Sequence, residues 1–405
     1  MAVIGAGAAG TMAAIHAAKW GAATVLLERT RDGGRKILIS GGGRCNVLPA
    51  RVDETRFVTD SSPNTLRKIV RSWPLAEQIA FFEREIGIAL VEETESAKLF
   101  PASHRARDVR DGLIGHAAGL GVSLRMDTTV TGLSPHEGGW RVSLADSAPL
   151  DVDAVVVASG GLSVPTTGSD GFGLRTLASL GHIVHSTYAA LTPVTCEPAP
   201  FGALSGVSLP VTLTARSASR SATASGGFLF THRGYSGPSV LDVSHVVVRA
   251  RAEHASASIS VRWTALDDAG WEALLRPQGA RTALGAVRAE LPDRLSTALL
   301  AQAEVDPSRS LAELTREERR RIVETLTRGN LPWTGDEGYK KAEVTGGGVS
   351  LAEVDPRTLE SRRLPGLYLC GELLDAFGPI GGYNFLWAWA TGRAAGSAAG
   401  RSGDA

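Results

Sequence analysis

Apolar positions along this chain keep two rhythms. Ala2-Val3-Ile4 is an unbroken apolar run that stops at Gly5, and from about Ala8 to Trp20 apolar residues recur at helical spacing until Gly21. A short unbroken run reads as a buried strand, and a glycine closing a periodic stretch reads as a helix C-terminus. Thr24 to Leu27 supplies a second strand, so the opening is βαβ-like. The spacing predicts helices around Asn64 to Trp73, Leu75 to Ile86 and Arg107 to Leu120, and strands at Val122 to Met126, Val130 to Leu133 and Trp140 to Leu144. Asp153 to Ala158 is again unbroken and ends in Ser159-Gly160-Gly161. That is the pattern of a central strand covered on both faces, at whose C-terminal end parallel sheets bind ligands.

The pattern changes near Thr187. From Leu191 to about Trp263 β-branched residues, Ser, Gly and Pro dominate, with alternating stretches that predict an inserted β domain; from about Asp267 to Arg328 the chain turns helical, punctuated by Pro277, Pro292 and Pro307. The first pattern resumes near Ala342, with Val344 to Val349, a strand ending in Gly371-Glu372, and a last helix from near Gly382. The Arg/Gly/Ser/Asp tail after Gly396 reads as disordered. These shifts predict a split α/β domain over 1–188 and 342–405, a β-rich insert over 189–264 and 329–341, and a helical insert over 265–328.

A chain of 405 residues is too long for one compact core, which agrees with two or three lobes. Its 42 Lys+Arg balance 42 Asp+Glu, so overall charge gives no support to a nucleic-acid partner. No apolar run approaches the roughly 20 residues needed to cross a bilayer, and three scattered cysteines fit a reducing compartment, so a cytoplasmic protein, monomer or homodimer, is expected. The nine histidines show no metal-ligand spacing. The glycine turn begins at residue 5, leaving no room for a signal segment; a first strand of three residues is short enough to suggest a start upstream or a clipped strand.

The chemistry lies in the glycines. Gly5-Ala6-Gly7-Ala8-Ala9-Gly10 after a strand and before a helix is a dinucleotide turn: Gly5 allows the tight bend, Gly7 lets backbone approach a pyrophosphate, and Gly10 lets helix and strand pack closely. Glu28, ending the second strand, is placed to accept hydrogen bonds from adenosine ribose hydroxyls and repels a 2′-phosphate. FAD fits this better than NADP. Late in the chain, Gly371-Glu372, a loop, then Gly381-Gly382-Tyr383-Asn384-Phe385 opening a helix would bring a positive helix end to a flavin ring.

Six stretches, GAGAAG (5–10), GRKILISGGGRCN (34–46), KLFPASHRARDV (98–109), GGFLFTHRGYSGPSVLDVS (226–244), EVTGGGVSL (343–351) and GLYLCGELLDAFGPIGGYNF (366–385), resemble those of the BaiN/YhiN-like flavoproteins, a group that includes aminoacetone oxidase-like enzymes. The likeness spans nearly the whole chain in matching order. It implies non-covalent FAD on a Rossmann-like, glutathione-reductase-like domain split by a β-barrel-like insert and a small helical one. It also implies a cofactor site of Gly5, Gly7, Ala9, Gly10, Glu28 and Arg29; of Lys36, Ser40, Gly42, Gly43, Arg44, Cys45 and Asn46 along the cofactor; and of Val130, Gly160 and Gly161. Gly371, Glu372, Asp375, Gly382, Asn384 and Phe385 would close around ribityl and ring. The chain departs from the pattern in two places: Leu48-Pro49 stands where Thr-Asn is often found, and Leu386 where a glutamine is frequent, removing polar groups from the expected substrate side.

Plainer readings stand beside several of these residues. Cys45 has no CxxC partner and reads as a small packed residue. His104-Arg105 could face the flavin as acid or anion clamp, or be an exposed loop pair; Tyr383 and Asn384 are the other catalytic candidates. His232 and Tyr235 could roof the site or simply belong to a Gly/Pro turn. Arg316 to Arg321 reads as a solvated helix face. No second glycine-rich βαβ unit follows Ala154, so NAD(P)H would dock only transiently. The expectation is an FAD-dependent oxidoreductase passing a hydride between flavin N5 and a small organic substrate, preferably an NAD(P)H-coupled reductase. Alternatives are an oxygen-dependent amine or amino-ketone oxidase and, from another class, an RNA-modifying flavoprotein or a non-catalytic FAD scaffold.

Overall fold

A computed structural model describes residues 1–276 and 281–401. They divide into two compact units, one of Met1–Tyr188 with Glu343–Ala405 and one of Ala189–Ala342.

The first unit is built on a five-stranded sheet in the order Leu367–Leu369, Val155–Val157, Ala2–Ile4 (β1), Val25–Leu27 (β2), Ser123–Arg125. Every neighbouring pair is parallel, with Ala2 opposite both Val155 and Val25, and Val155 opposite Leu367. Three adjacent strands, Leu367–Leu369, Val155–Val157 and β1, are buried at every position, as unbroken apolar runs require in a sheet covered on both faces. The α/β Rossmann-like expectation holds. Smaller antiparallel sheets accompany it: Val130–His136, Gly139–Leu144 and Leu150–Val152 form one, and Leu48–Pro49, Lys98–Pro101 and Leu90–Glu93 another.

One face of the parallel sheet is covered by the helix Ala8–Lys19 (α1), on which the C-terminal helix Tyr383–Arg401 packs closely. Their seam is made of small residues in step: an added Cβ at Gly392 would lie 2.3 Å from the Ala9 carbonyl oxygen, at Gly396 2.1 Å from that of Ala13, and at Gly400 2.8 Å from that of Ala17. Spacings of four residues on both helices keep these positions on facing stripes. The tail after Gly396 is therefore ordered helix through Arg401, contrary to the disorder expected from its composition; its small and polar residues serve close approach. Ser402 to Ala405 and Pro277 lie outside the described residues.

The second unit carries a seven-stranded antiparallel sheet whose long strands are Ser208–Ser217 and Ser221–Thr231. A 15-residue helix, Pro238–Ala252, packs on it inside a stretch whose β-branched composition predicts strand. Gly237 (φ +95°) breaks the preceding strand and Pro238 occupies the first helical turn, where its missing N–H costs nothing. The valines that suggested a strand, Val240, Val243, Val246 and Val247, are buried at helical spacing. The helices Asp268–Leu274, Asp293–Gln302 and Arg316–Arg328 join the same core through Trp271, Leu299 and Leu326. The Arg316 helix starts at a capping box between Thr315 and Glu318, and Arg320 pairs with Glu317 and Glu324 on its solvated face.

Candidate functional site

The glycine turn does three separate jobs. Gly5 has φ +102°, and a Cβ there would sit 2.7 Å from the Ala158 carbonyl oxygen; at Gly10 it would sit 1.8 Å from the Gly5 oxygen. Both glycines are demanded by backbone packing. At Gly7 an added Cβ meets nothing within 4 Å, so packing within the protein does not demand a glycine there. No side chain caps α1 and its first turn holds no carboxylate, leaving its N-terminal N–H groups for an anion.

Glu28 ties the turn to the end of β2. Its Oε2 accepts from the Ala6 N–H at 2.8 Å, and Oε1 from the Thr30 N–H at 2.8 Å and hydroxyl at 2.6 Å. Two carboxylate oxygens offer about four acceptor sites, so capacity for a ribose hydroxyl remains. The Thr128 N–H donates to the Glu28 carbonyl at 2.8 Å, bringing the strand that starts at Val130 alongside. Arg29 turns to Asp170 at 2.5 Å.

The loop Ser40 to Cys45 is wound left-handed at Gly41, Gly42, Gly43 and, without glycine's freedom, Cys45 (φ +65°). A Cβ at Gly42 would meet open space. Beside the loop, Asn46 Oδ1 is buried without a partner, an acceptor waiting for a donor the chain does not supply. Burial pushes the Cys45 thiol up to about 12, so it is packed and protonated. Ser40 is fixed through its hydroxyl on the Ile37 carbonyl at 2.8 Å. Arg44 faces elsewhere, with its guanidinium 4.2 Å from the Phe100 ring centroid and 2.9 Å from Glu93.

Three distant segments meet at Glu372. Its carboxylate is ion-paired with Lys36 and accepts from the Ser163 hydroxyl, the Thr345 N–H at 3.0 Å and the Thr345 hydroxyl at 2.9 Å. Lys36 also donates to Ser163 at 2.6 Å. Thr345 Oγ1 accepts from the Leu162 and Ser163 N–H groups at 2.7 and 3.1 Å, and a Cβ at Gly161 would strike it at 2.4 Å. Gly160, at φ +72°, makes the preceding bend. Ser163 and Thr345 escaped sequence reasoning; only their positions beside Gly161 and Gly346 hinted at a role.

The closing segment is held by its own helix. The Gly371 N–H donates to Thr391 Oγ1 at 3.0 Å, its carbonyl accepts from Trp387 Nε1 at 3.1 Å, and a Cβ there would lie 2.7 Å from that of Ala9. Head and tail therefore meet at the turn. Asp375 is buried, and its Oδ2 accepts from Thr59, the Asp60 N–H and both donors of Ser61, with His185 3.7 Å away. Asn384 spends its amide on Gly378, accepting from its N–H and donating to its carbonyl, each at 2.9 Å. Tyr383 donates to the Arg51 carbonyl and accepts from the Asp53 N–H, both at 3.2 Å. Gly382 lies over the Leu48–Pro49 backbone, and Phe385 stacks on Trp389. His104 sits on an exposed turn, its ring 6.1 Å from that of Phe100.

Two expectations need correction. Leu48 and Leu386 are buried in the core of the first unit, so neither reshapes an open substrate wall. Tyr235 is packed against Phe228 and Phe230 in the core of the second unit, so its phenol is pushed up and its ring is not an open surface group; His232 lies exposed on the neighbouring turn. No helix among the described residues is long and apolar enough to cross a membrane.

The bare Gly7, the uncapped α1, the acceptor capacity of Glu28 and the orphaned Asn46 amide together fit the phosphates, ribose and polar edge of FAD. Comparisons with known proteins agree. The profile of the family described as HI0933-like protein Rossmann domain matches residues 1–398. The chain is 32% identical over 396 residues to the ribosomal RNA dihydrouridine synthase of Escherichia coli (strain K12), covering 96% of this chain and 95% of that one. It is 29% identical over 405 residues to the 3-dehydro-bile acid delta(4,6)-reductase of Clostridium scindens, covering 98% of each. The 3-ketosteroid delta1-dehydrogenase of Sterolibacterium denitrificans superposes with a TM-score of 0.53 at 12% identity over 99% of both chains, a likeness of fold alone.

Proposed function

This chain belongs to the HI0933-like Rossmann family of FAD-dependent oxidoreductases, and from that membership we propose that it is an NAD(P)H-coupled reductase of a carbon–carbon double bond conjugated to a carbonyl. The observation that carries the reading is full-length similarity to two reductive enzymes whose names share one chemical denominator. Saturating uracil to dihydrouracil and reducing one double bond of a delta(4,6) pair conjugated to a 3-keto group both add a hydride to the far carbon of such a bond and a proton to the near one.

Bound in the cradle described, FAD supplies a carrier that takes up and releases a hydride at N5. The remaining work falls to the chain. Gly7 and the open end of α1 receive the pyrophosphate, Glu28 the ribose, and Asn46 a donor on the cofactor. Lys36 has three donors, of which Glu372 and Ser163 occupy two; the third is free for an oxygen of cofactor or substrate. A fixed cation there favours negative charge as it develops. Asn384 and Tyr383 act through the loops they fasten and are positioning residues. No second parallel nucleotide-binding sheet exists among the described residues, so the nicotinamide donor would visit and leave.

Anaerobic addition of NADPH or NADH should bleach the visible absorption of the oxidised flavin, and an α,β-unsaturated ketone should restore it with one equivalent of saturated product. If neither nicotinamide bleaches the band while amines or amino ketones generate peroxide, the reductase reading fails.

A further inference from the structure

On the first unit, away from the cofactor residues, the end of the helix Pro63–Arg71, the loop around Asp355 and the last turns of the C-terminal helix enclose a groove of about 690 Å³. Six cations line it, Lys68, Arg71, Arg357, Arg362, Arg393 and Arg401, against one carboxylate, Asp355. Two of the cations are answered: Arg71 pairs with Glu54 at 2.7 Å, and Arg362 lies 3.8 Å from Asp355. Lys68, Arg357, Arg393 and Arg401 have no carboxylate partner among the described residues. Two guanidiniums are held in place on indole faces, Arg393 5.2 Å from the Trp73 ring centroid and Arg401 4.9 Å from that of Trp20.

Gathering like charges costs free energy unless something anionic repays it. The balanced total charge hides this gathering, because it averages a segregated surface. Five of the six cations are arginines, whose planar fork suits phosphate oxygens, and the groove is open and spans three elements, which suits a chain of phosphates better than one ion.

We infer that this groove docks the phosphodiester backbone of an RNA strand. The choice of RNA rests on the reductase reading above, since a uracil base is one carrier of the double bond it names; the groove would hold the strand by charge while chemistry proceeds elsewhere. The flavin-loaded full chain is titrated against fluorescein-labelled single-stranded RNA over a range of salt, beside a triple variant Lys68→Glu, Arg357→Glu, Arg401→Glu and its milder Gln counterpart. The wild type should bind with strong salt dependence. Losing three phosphate contacts should weaken binding about ten-fold or more and flatten the log–log salt slope by about 2, with bleaching by NADPH unchanged in both variants. Unchanged RNA affinity in both would overturn the inference. So would displacement of the RNA by a poly-glutamate peptide at equal charge, which would assign the groove to an acidic protein. RNA binding that the variants lose, in a protein that reduces no conjugated double bond, would sink the reductase reading and leave the groove standing.

Discussion

Gly7 and Gly10 sit in one turn and should fail differently when given a methyl group. Gly7 has φ −77° and open space at its missing Cβ, so Gly7→Ala should melt within about 0.5 kcal/mol of wild type, yet hold FAD at least ten-fold more weakly. Gly10→Ala meets a backbone oxygen at 1.8 Å and should lose stability and cofactor together; calorimetry of apoprotein with flavin titration separates the cases. Glu28→Ala removes charge-assisted bonds worth about 1.5 to 3 kcal/mol, so apoprotein titration should show FAD retention falling ten-fold or more. His16 offers a pH test. Burial first, then nearby Lys19, Arg393 and His116, lowers its pKa to about 3, and its ring lies 5.6 Å from those of both Trp73 and Phe81. The unfolded chain binds this proton below about 6.5 and the folded one does not, so stability present at pH 7 is lost as pH falls toward 4, by up to about 1.4 kcal/mol per unit. Denaturant melts of His16→Phe should show a shallower slope in that window. At this scale the geometry of the glycine turn and of Glu28 was legible because it is local. Ser163 and Thr345 were not, since their meeting with Glu372 joins segments 209 and 27 residues away.

Between elements, the seam of α1 with the C-terminal helix sets the tolerance for side chains. Gly396→Ala would bring a methyl within 2.1 Å of the Ala13 oxygen, so the helices must part; thermal melts should show a loss of about 1 to 3 kcal/mol and reduced flavin content. Gly115, inside the helix Ala106–Gly119, has nothing within 4 Å of an added Cβ, and Gly115→Ala should instead stabilise by about 0.5 to 1 kcal/mol. A stabilised Gly396→Ala would mean the seam is looser than described. Elements whose pattern and environment agree, such as β1 and the run at Val155, were readable in advance. Pro238–Ala252 was not, because its valines carry a strand's composition on a helix's period, and the stretch of the last helix beyond Gly396 looked too polar and small to be ordered until its partner was known.

For the molecule as a whole, all three thiols are buried, and burial pushes those of Cys45, Cys196 and Cys370 upward. Native protein should react with none of them within minutes of adding a thiol reagent, and denatured protein with all three; fast labelling of Cys370 would show the first unit opening. The α/β class and the meeting of head and tail were foreseeable from matching glycine motifs at both ends, whereas the common core of the second unit's sheet and helices depends on contacts between distant residues. That meeting bears on biosynthesis. A ribosome adding roughly 5 to 20 residues each second finishes α1 early and its partner helix last, so α1 would wait roughly 20 to 80 s for its cover. The contiguous second unit ends at Ala342, ahead of the last helix, so the nascent polypeptide has every contact of its middle in hand while that cover is still missing, which would leave flavin capture as a late act of maturation.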